Sequence, residues 1–552
     1  MKRIITSVTL ILLFSVSSSA QIQYMTPWWT ATGTSDTCAL GLSVAGIGDV
    51  NQDGYDDFAA CTYDEQVWIF LGSPEPDSIP DMFLNSPDAT VSYFGWRVHN
   101  IGDVDGDTYI DLAVQAQTQN FLRKLFIYFA GANFDTIPDL IVGPPEINEV
   151  SVVVGIADFN GDGDDDFALT DKDYVPIPGQ PYEGRLQVFY GGEALDSLPD
   201  WEITAGPERD RFPQYCVGLG DLNGDGCAEL AASSPMCTGP NGEDDMGLVE
   251  VYYGGSPPDT TPDFRLYGSE TDEGLGSNLT ALDVNCDNHL EMGAFSSRDF
   301  PPDYTRSILL YNMIPEPDSI PDYFIGGNDN YKLGSRPTVI DFNGDGADDL
   351  ATGGGGPGFG TGAVHIYLGG ETFDESIDCI MNGQHMDERL GQGIANIGDI
   401  NGDGIEDLAA GAPGYDGGIP GFYGTGRVHT ILGDTTYHQS VGIPRGTVPE
   451  QPEEFTLSLH AFPNPFNAST VLSFQLQVAG FIKLDIFNIS GRNVGAGSPH
   501  PYNVGFGESD LHWYPPGTHQ ISFEGSGLAS GIYLVRFRTA DQQVTKKIVL
   551  LR

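Results

Sequence analysis

Asp399-Ile400-Asn401-Gly402-Asp403-Gly404-Ile405-Glu406-Asp407 decides how this chain is to be read. Side-chain oxygens fall at positions 1, 3, 5 and 9 of the stretch, with glycine at positions 4 and 6. A hard cation such as Ca²⁺ takes 6–8 oxygen ligands, and a short loop supplies them from alternate residues when glycine lets the backbone curl. The odd positions then point inward, and position 7 offers its carbonyl. The apolar run Leu408-Ala409-Ala410 follows, with no glutamate at position 12. The stretch reads as the start of an EF-hand loop without its ending: a calcium loop joining two antiparallel strands.

The pattern occurs seven times. The candidate ligands are Asp49, Asn51, Asp53 and Asp57 in loop 1; Asp103, Asp105, Asp107 and Asp111 in loop 2; and Asp158, Asn160, Asp162 and Asp166 in loop 3. Loop 4 offers Asp221, Asn223, Asp225 and Glu229, and loop 5 offers Asp283, Asn285, Asp287 and Glu291. Loop 6 offers Asp341, Asn343, Asp345 and Asp349, and loop 7 Asp399, Asn401, Asp403 and Asp407. Their starts lie 54, 55, 63, 62, 58 and 58 residues apart, a regularity that chance does not produce. Up to seven calcium ions are implied. Thr108 and Asn288 stand where position 6 otherwise has glycine, so loops 2 and 5 are expected to be weak or strained.

Each repeat holds more than its loop. An alternating strand precedes it, as in Phe94-Gly95-Trp96-Arg97-Val98, and a short apolar strand follows, as in Asp57-Phe58-Ala59-Ala60-Cys61. A third strand ends in glycine (Val67-Trp68-Ile69-Phe70-Leu71-Gly72), and a fourth opens on Pro-Asp (Pro199-Asp200-Trp201-Glu202-Ile203). Alternation, β-branched and aromatic enrichment and the intervening turn residues make these antiparallel strands. Four strands repeated seven times make a seven-bladed β-propeller, all-β in class. The seventh repeat lacks its Pro-Asp strand, while a spare copy, Pro27-Trp28-Trp29-Thr30-Ala31-Thr32-Gly33, lies at the front. The N-terminal strand is therefore expected to complete the last blade and close the ring.

Of the 552 residues 72 are glycine, suiting a turn-rich all-β chain, and the formal charge of −54 argues against nucleic acid and anionic membranes as partners. Seven divalent ions would cancel only 14 of those charges, so the surface stays acidic. Residues 1–20 read as a signal peptide: Lys2-Arg3, an apolar core from Ile4 to Val16, then Ser17-Ser18-Ser19-Ala20. No other run is long and apolar enough for a transmembrane helix. Seven cysteines leave at least one unpaired, and no CxxC occurs; scattered thiols with at most one or two disulfides are expected.

The segments Phe94-Gly95 through Leu112-Ala113 and Leu390-Gly391 through Gly411-Ala412-Pro413 resemble the FG-GAP repeats of the integrin α-chain propeller and its bacterial relatives. The resemblance spans roughly residues 25–434; it implies calcium loops on one rim and ligands on the opposite face. Thr108, Asn288 and eroded GAP tripeptides such as Gly353-Gly354-Gly355 depart from the pattern. Residues 1–20 as signal peptide, 21–434 as propeller and 435–457 as a Pro- and Glu-bearing linker leave 458–552 as a second β domain. It opens on Ala461-Phe462-Pro463-Asn464-Pro465-Phe466-Asn467 and carries Ser490-Gly491-Arg492, Leu528-Ala529-Ser530-Gly531-Ile532-Tyr533 and a basic end (Arg536, Arg538, Lys546, Lys547, Arg552). This resembles the type A C-terminal sorting domain of the bacterial type IX secretion system, an Ig-like β-sandwich. It implies that secretion machinery as a partner and delivery to the outer cell surface or the extracellular medium.

Catalytic signals are thin. The ten histidines are scattered, no H-E-x-x-H or nucleophile motif occurs, and carboxylates are too abundant for any pair to stand out. Strand alternation puts the calcium loops and the third-to-fourth connections on one rim. The second-to-third connections fall on the other, at 171–184, 233–247, 296–306, 353–362 and 411–426 in five blades. Variable loops on a rigid scaffold are where binding residues lie. Tyr174, Tyr182, Phe300, Tyr304, Phe359, Tyr415, Phe422 and Tyr423 there either stack on a ligand or pack down their own loops. Two classes remain: a non-enzymatic adhesion or binding protein for an extracellular protein or glycan, and a secreted carbohydrate-active enzyme on a propeller scaffold.

Overall fold

The structure is a computed structural model; it describes residues 22–439 and the strands between 459 and 550. Within the first span, residues 89, 119–121, 132–133, 144–149, 176–182, 205–211, 301–304, 314–318, 327–331, 356–359, 371–372, 374, 386 and 417–423 lie outside the description. The expected signal peptide and most of the linker lie outside it too.

Seven four-stranded antiparallel blades follow one another. Blade 1 is Val44–Gly48, Asp57–Cys61, Gln66–Phe70 and Met82–Asn85. Blade 2 is Val91–Asn100, Leu112–Thr118, Arg123–Tyr128 and Leu140–Val142, and blade 3 is Val152–Ala157, Asp166–Asp171, Arg185–Phe189 and Trp201–Thr204. Blade 4 is Tyr215–Gly220, Glu229–Ser234, Leu248–Tyr252 and Phe264–Tyr267, and blade 5 is Leu275–Leu282, Glu291–Phe300, Thr305–Asn312 and Tyr323–Gly326. Blade 6 is Lys332–Ile340, Asp349–Gly355, Ala363–Tyr367 and Cys379–Asn382. Blade 7 takes Ile394–Asn396, Leu408–Gly411 and Arg427–Ile431 from its own repeat and Trp29–Thr32 from the N-terminal side. In this last pairing Trp29 lies opposite Thr430 and Thr32 opposite Arg427, so the expected closing strand is in place.

A blade has two apolar faces and can cover them only with its neighbours. The second strands are accordingly buried along their length, as in Asp57–Cys61 and Asp166–Asp171. The propeller core is seven clusters, each shared by two adjacent blades. One joins blades 1 and 2 through Ile69, Leu84, Phe94 and Val114; the closing one joins blades 7 and 1 through Ala409, Val428, Phe58 and Phe70. The first strands pack on one another around the axis until Ile394–Asn396 meets Val44–Gly48.

Two features were not read from the sequence. Gln23–Tyr24 adds a fifth, parallel strand to blade 6 beside Cys379–Asn382, and Gln23 Nε2 donates to the His438 carbonyl at 2.7 Å. Both ends of the propeller chain are thus tied down at blade 6. In blade 5 the second and third strands continue to Phe300 opposite Thr305, so the connection expected over 296–306 shrinks to 301–304. Ladder pairing there extends past the apolar residues that mark a strand in sequence. All seven cysteines are free thiols, and no disulfide joins them.

The tail is a two-sheet β-sandwich. Leu459–Phe462, Ser469–Leu476 and Gly517–Glu524 form one sheet; Asn493–Ala496, Gly480–Asn488, Gly531–Arg538 and Gln543–Leu550 form the other, with Leu511–Tyr514 also pairing with Gly480–Asn488. Leu472, Phe474 and Phe523 from the first meet Leu484, Ile486, Val535, Phe537 and Ile548 from the second.

Ring closure is testable at Ala31, which is 1% exposed in the cluster that joins blades 7 and 1. Ala31→Asp buries an unpaired carboxylate there and should cost about 3 kcal/mol or more, read as a lower urea midpoint. The same substitution at exposed Tyr24 should cost far less.

Candidate functional site

All seven loops fold on the same hydrogen bonds. In loop 7, Asp399 Oδ1 accepts the Asp403 N–H at 3.0 Å, its Oδ2 accepts the Gly404 N–H at 2.8 Å, and Asp403 Oδ1 accepts the Ile405 N–H at 3.0 Å. Asp49, Asp103, Asp158, Asp221, Asp283 and Asp341 accept the equivalent two N–H groups in their own loops. Residues 1, 3, 5 and 9 of each repeat are thereby gathered around one turn.

Position 9 sits underneath. Asp57, Asp111, Asp166, Glu229, Glu291, Asp349 and Asp407 are all 0% exposed. In loops 1–6 this carboxylate accepts the N–H of position 2. The five aspartates also accept an N–H just past the third strand: Gly72, Ala130, Gly191, Gly369 and Gly433. Those donors favour the charged form, but burial outweighs them. It pushes the pKa up to about 7 for Asp57, Asp111, Asp166, Glu229 and Asp407, and to about 8 for Glu291 and Asp349.

The third position tunes this. Asn51, Asn160, Asn223 and Asn343 donate Nδ2 to the aspartate at position 5, at 2.9–3.1 Å. Asn285 and Asn401 donate instead to the position-9 acid, at 2.6 and 3.2 Å, and Asn223 does both. Loop 2 has Asp105 at this position and no such donor, and burial followed by the charge of Asp107 raises the Asp105 pKa. Ligand oxygens of Asp103, Asp105 and Asp111 lie within 4.8 Å of one another, as do those of Asp221, Asp225 and Glu229. The donor set is all oxygen, anionic, convergent and partly desolvated. It fits a hard divalent cation, whose charge would replace the protons that burial otherwise retains.

Backbone sign explains the glycines. Position 6 has φ between +63° and +101° in every loop, including Thr108 at +81° and Asn288 at +63°. Position 4 is left-handed as well, and there Gln52 (+62°) and Cys286 (+61°) replace glycine. Loop 5 therefore carries two such residues, which reading position 6 alone missed. Thr108, β-branched, bears the larger penalty; asparagine tolerates this region.

Position 8, passed over in the sequence, links the blades. Asp56 Oδ2 accepts the Asp399 N–H at 2.8 Å across the ring closure, and Asp165, Asp348 and Glu406 do the same for Asp103, Asp283 and Asp341 of the preceding loops. A four-way repetition of Asp or Glu before the position-9 acid was the available signal.

On the opposite rim, Tyr174 carries the Arg185 guanidinium 4.0 Å from its ring centre, and Tyr415 carries Arg427 at 3.2 Å with His385 edge-on at 5.1 Å. Both pack against their own blades. Tyr182, Tyr304, Phe359, Phe422, Tyr423 and the side chain of Phe300 lie outside the described residues. An aromatic group the sequence reading missed joins Tyr63, Tyr93 and Trp96, with ring centres 5.7 and 6.1 Å apart and Arg123 5.9 Å from Trp96. Down the axis runs a channel of about 490 Å³ lined by the first strands of all seven blades. A Thr–His–Glu line exists, Thr30 Oγ1 2.8 Å from His429 Nδ1 and Glu388 Oε1 3.9 Å from His429 Nε2. Its His and Glu are buried where the closing strand joins blade 7, and they line neither the channel nor the pocket around Met236 and Arg306.

Residues 391–431 match the FG-GAP repeat, and residues 460–551 match the secretion system C-terminal sorting domain. The seven-bladed propeller thus carries an FG-GAP repeat at its last blade and a sorting domain in its tail. Mouse integrin alpha-IIb is 41% identical over 98 residues, covering 16% of this chain and 10% of the integrin. Xenopus laevis integrin alpha-5 is 34% identical over 166 residues (30% and 15%), and chicken integrin alpha-8 34% over 248 residues (41% and 23%). The matches thus span less than a quarter of these relatives' length. A glycoside hydrolase family 32 structure from Bifidobacterium adolescentis aligns with 90% of this chain and 84% of its own at 9% identity and a TM-score of 0.25, too slight a likeness to bear on fold or activity. The sorting domain marks the chain for export, ending in secretion or surface attachment. No described helix is long and apolar enough to cross a membrane.

The raised position-9 carboxylates set a pH dependence. Their folded pKa values of about 7–8 exceed the unfolded value near 4, so the stability they contribute is complete below about pH 4 and lost as pH rises through 7–8. In EDTA the melting temperature should fall between pH 5 and 8. Added Ca²⁺ should restore it, by more at pH 8 than at pH 5; calorimetry showing a calcium increment independent of pH would refute the loop assignment. Separately, Thr108→Gly should stabilise by about 1 kcal/mol, and Gly404→Ala, whose Cβ would meet nothing within 4 Å, should cost about as much.

Proposed function

We propose that this FG-GAP propeller is a calcium-braced, non-enzymatic binding protein, delivered to the cell surface or the medium by type IX secretion through its tail. The observation that carries the reading is the set of seven buried position-9 acids, each beneath an oxygen-lined loop on one rim. Calcium held by residues 1, 3, 5 and 9 of every loop, with the carbonyl of position 7, neutralises that rim and stiffens the blades. The ions act as braces: the loop fills the coordination itself and leaves no site for a substrate. The ligand is met on the opposite face, as the resemblance to FG-GAP propellers implies; the second-to-third connections and the Tyr63–Tyr93–Trp96 group lie there, beside the axial channel. The ligand is an extracellular glycan or protein.

In the tail, Arg536, Arg538 and Lys547 share one face of the Gly531–Arg538 and Gln543–Leu550 ladder. That basic face, on a chain of net charge −54, suits recognition by the export machinery.

Electrophoresis of the mature chain through gels loaded with different polysaccharides, in Ca²⁺ and in EDTA, tests the binding reading. Retardation without clearing, abolished by EDTA, is expected for a glycan ligand. Clearing of the polysaccharide would put the carbohydrate-active enzyme first. No retardation in any gel would leave a protein ligand, sought by adhesion assays on immobilised extracellular proteins.

A further inference from the structure

The channel is chemically unlike the rest of the chain. The sequence holds 78 acidic and 24 basic residues, yet among the described residues the channel lining includes Arg97 and His99 and no carboxylate. Arg97 and His99 lie two apart on the first strand of blade 2 and both line the channel, while Val98 between them is buried in the cluster shared by blades 1 and 2. Arg97 Nη1 donates to the Ser151 carbonyl at 2.8 Å, which satisfies one of five guanidinium donors. No carboxylate pairs with Arg97 among the described residues. The ionisable groups acting on it are Tyr215 and Arg123, the second repelling it, and burial is the largest influence. A half-buried cation without a counter-ion is costly, and a ligand that brings the opposite charge would offset that cost.

We propose that the channel binds a carboxylated sugar residue, its carboxylate forked on Arg97 and its hydroxyls met by Tyr215, Asn278, Thr280 and Thr338. This rests on reading the propeller as a binding scaffold and names the ligand class. Guanidinium pairs with carboxylate through two parallel N–H···O bonds. The lining supplies hydroxyl and amide groups from blades 4, 5 and 6, the complement of a polyhydroxylated ring, whereas an acidic peptide would need partners for its backbone. About 490 Å³ falls within the usual range for small-ligand sites. The acidic exterior repels anions at long range, so recognition acts at short range, inside the channel.

The test is calorimetric titration of the mature chain, in Ca²⁺ and 150 mM salt, with trisaccharides of galacturonate, glucuronate and mannuronate. Their methyl esters and an aspartate-rich peptide serve as comparisons. At least one uronate should bind, and its methyl ester should bind about tenfold more weakly or worse. Arg97→Gln should weaken the acid by a similar factor and leave the ester unchanged, while Arg97→Lys should recover part of the loss. Tyr215→Phe, a milder change at the same site, should weaken binding severalfold and guards against misfolding of the Arg97 variants. Equal binding of acid and ester, or wild-type affinity in Arg97→Gln with a native melting temperature, would overturn the proposal. So would preference for the peptide, or no uronate binding at all. If uronates fail while other polysaccharides still retard the chain, only this inference falls; if both fail, the glycan-binding reading falls with it.

Discussion

Seven carboxylates buried beneath the rim loops are the constraint on which the propeller depends. Each ties its loop to the end of the third strand or to the position-3 side chain, so loop, second strand and third strand become one unit. The backbone N–H groups pointed at these oxygens do not outweigh the loss of water, as the raised pKa values show. The rim is therefore built around a charge deficit that a proton or a cation fills. At four of the seven junctions a position-8 acid adds a hydrogen bond from one loop to the next.

The second organising fact is that a blade cannot bury itself. Its two faces are covered by its neighbours, in seven shared clusters, and Trp29–Thr32, paired with Arg427–Ile431, adds Ala31 and Trp29 to the last of these. With Gln23–Tyr24 added to blade 6 and Tyr437 stacked on Phe342 at 4.9 Å, the ends of the propeller chain are clamped beside the closure. An edge strand left open there would offer unpaired backbone groups to other chains.

Rigidity on one rim and variety on the other divide the labour of the molecule. The loop rim repeats the same hydrogen bonds seven times, whereas the channel and the opposite connections differ blade by blade. Arg97, Tyr215 and Asn278 stand at corresponding first-strand positions yet share no chemistry. A scaffold held alike in every blade can vary these positions without cost to the ring.

Much of this was legible in the primary structure because it is local and repeated. Alternating oxygens with glycine at fixed offsets mark the acidic rim loops, the Pro-Asp openings count the blades, and the spare copy at Trp29 announces closure. Where sequence reasoning stopped, non-local contact was at work. Position 4 was not marked as left-handed, since Gln52 and Cys286 hide a backbone sign that only φ reveals. The position-8 acids look like ordinary surface charge until the curvature of the ring brings each to the preceding loop. Tyr174 and Tyr415 read equally as ligand anchors or packing until Arg185 and Arg427 were found against them. The sequence by itself determined the repeat, the acidic loops and the sorting tail, since each is written in short-range spacing. Only the tertiary structure decided that first strands 47 to 63 residues apart in the chain converge on one axis, leaving Arg97 there without an acid among the described residues. A channel is a property of the closed ring, and no single blade encodes it.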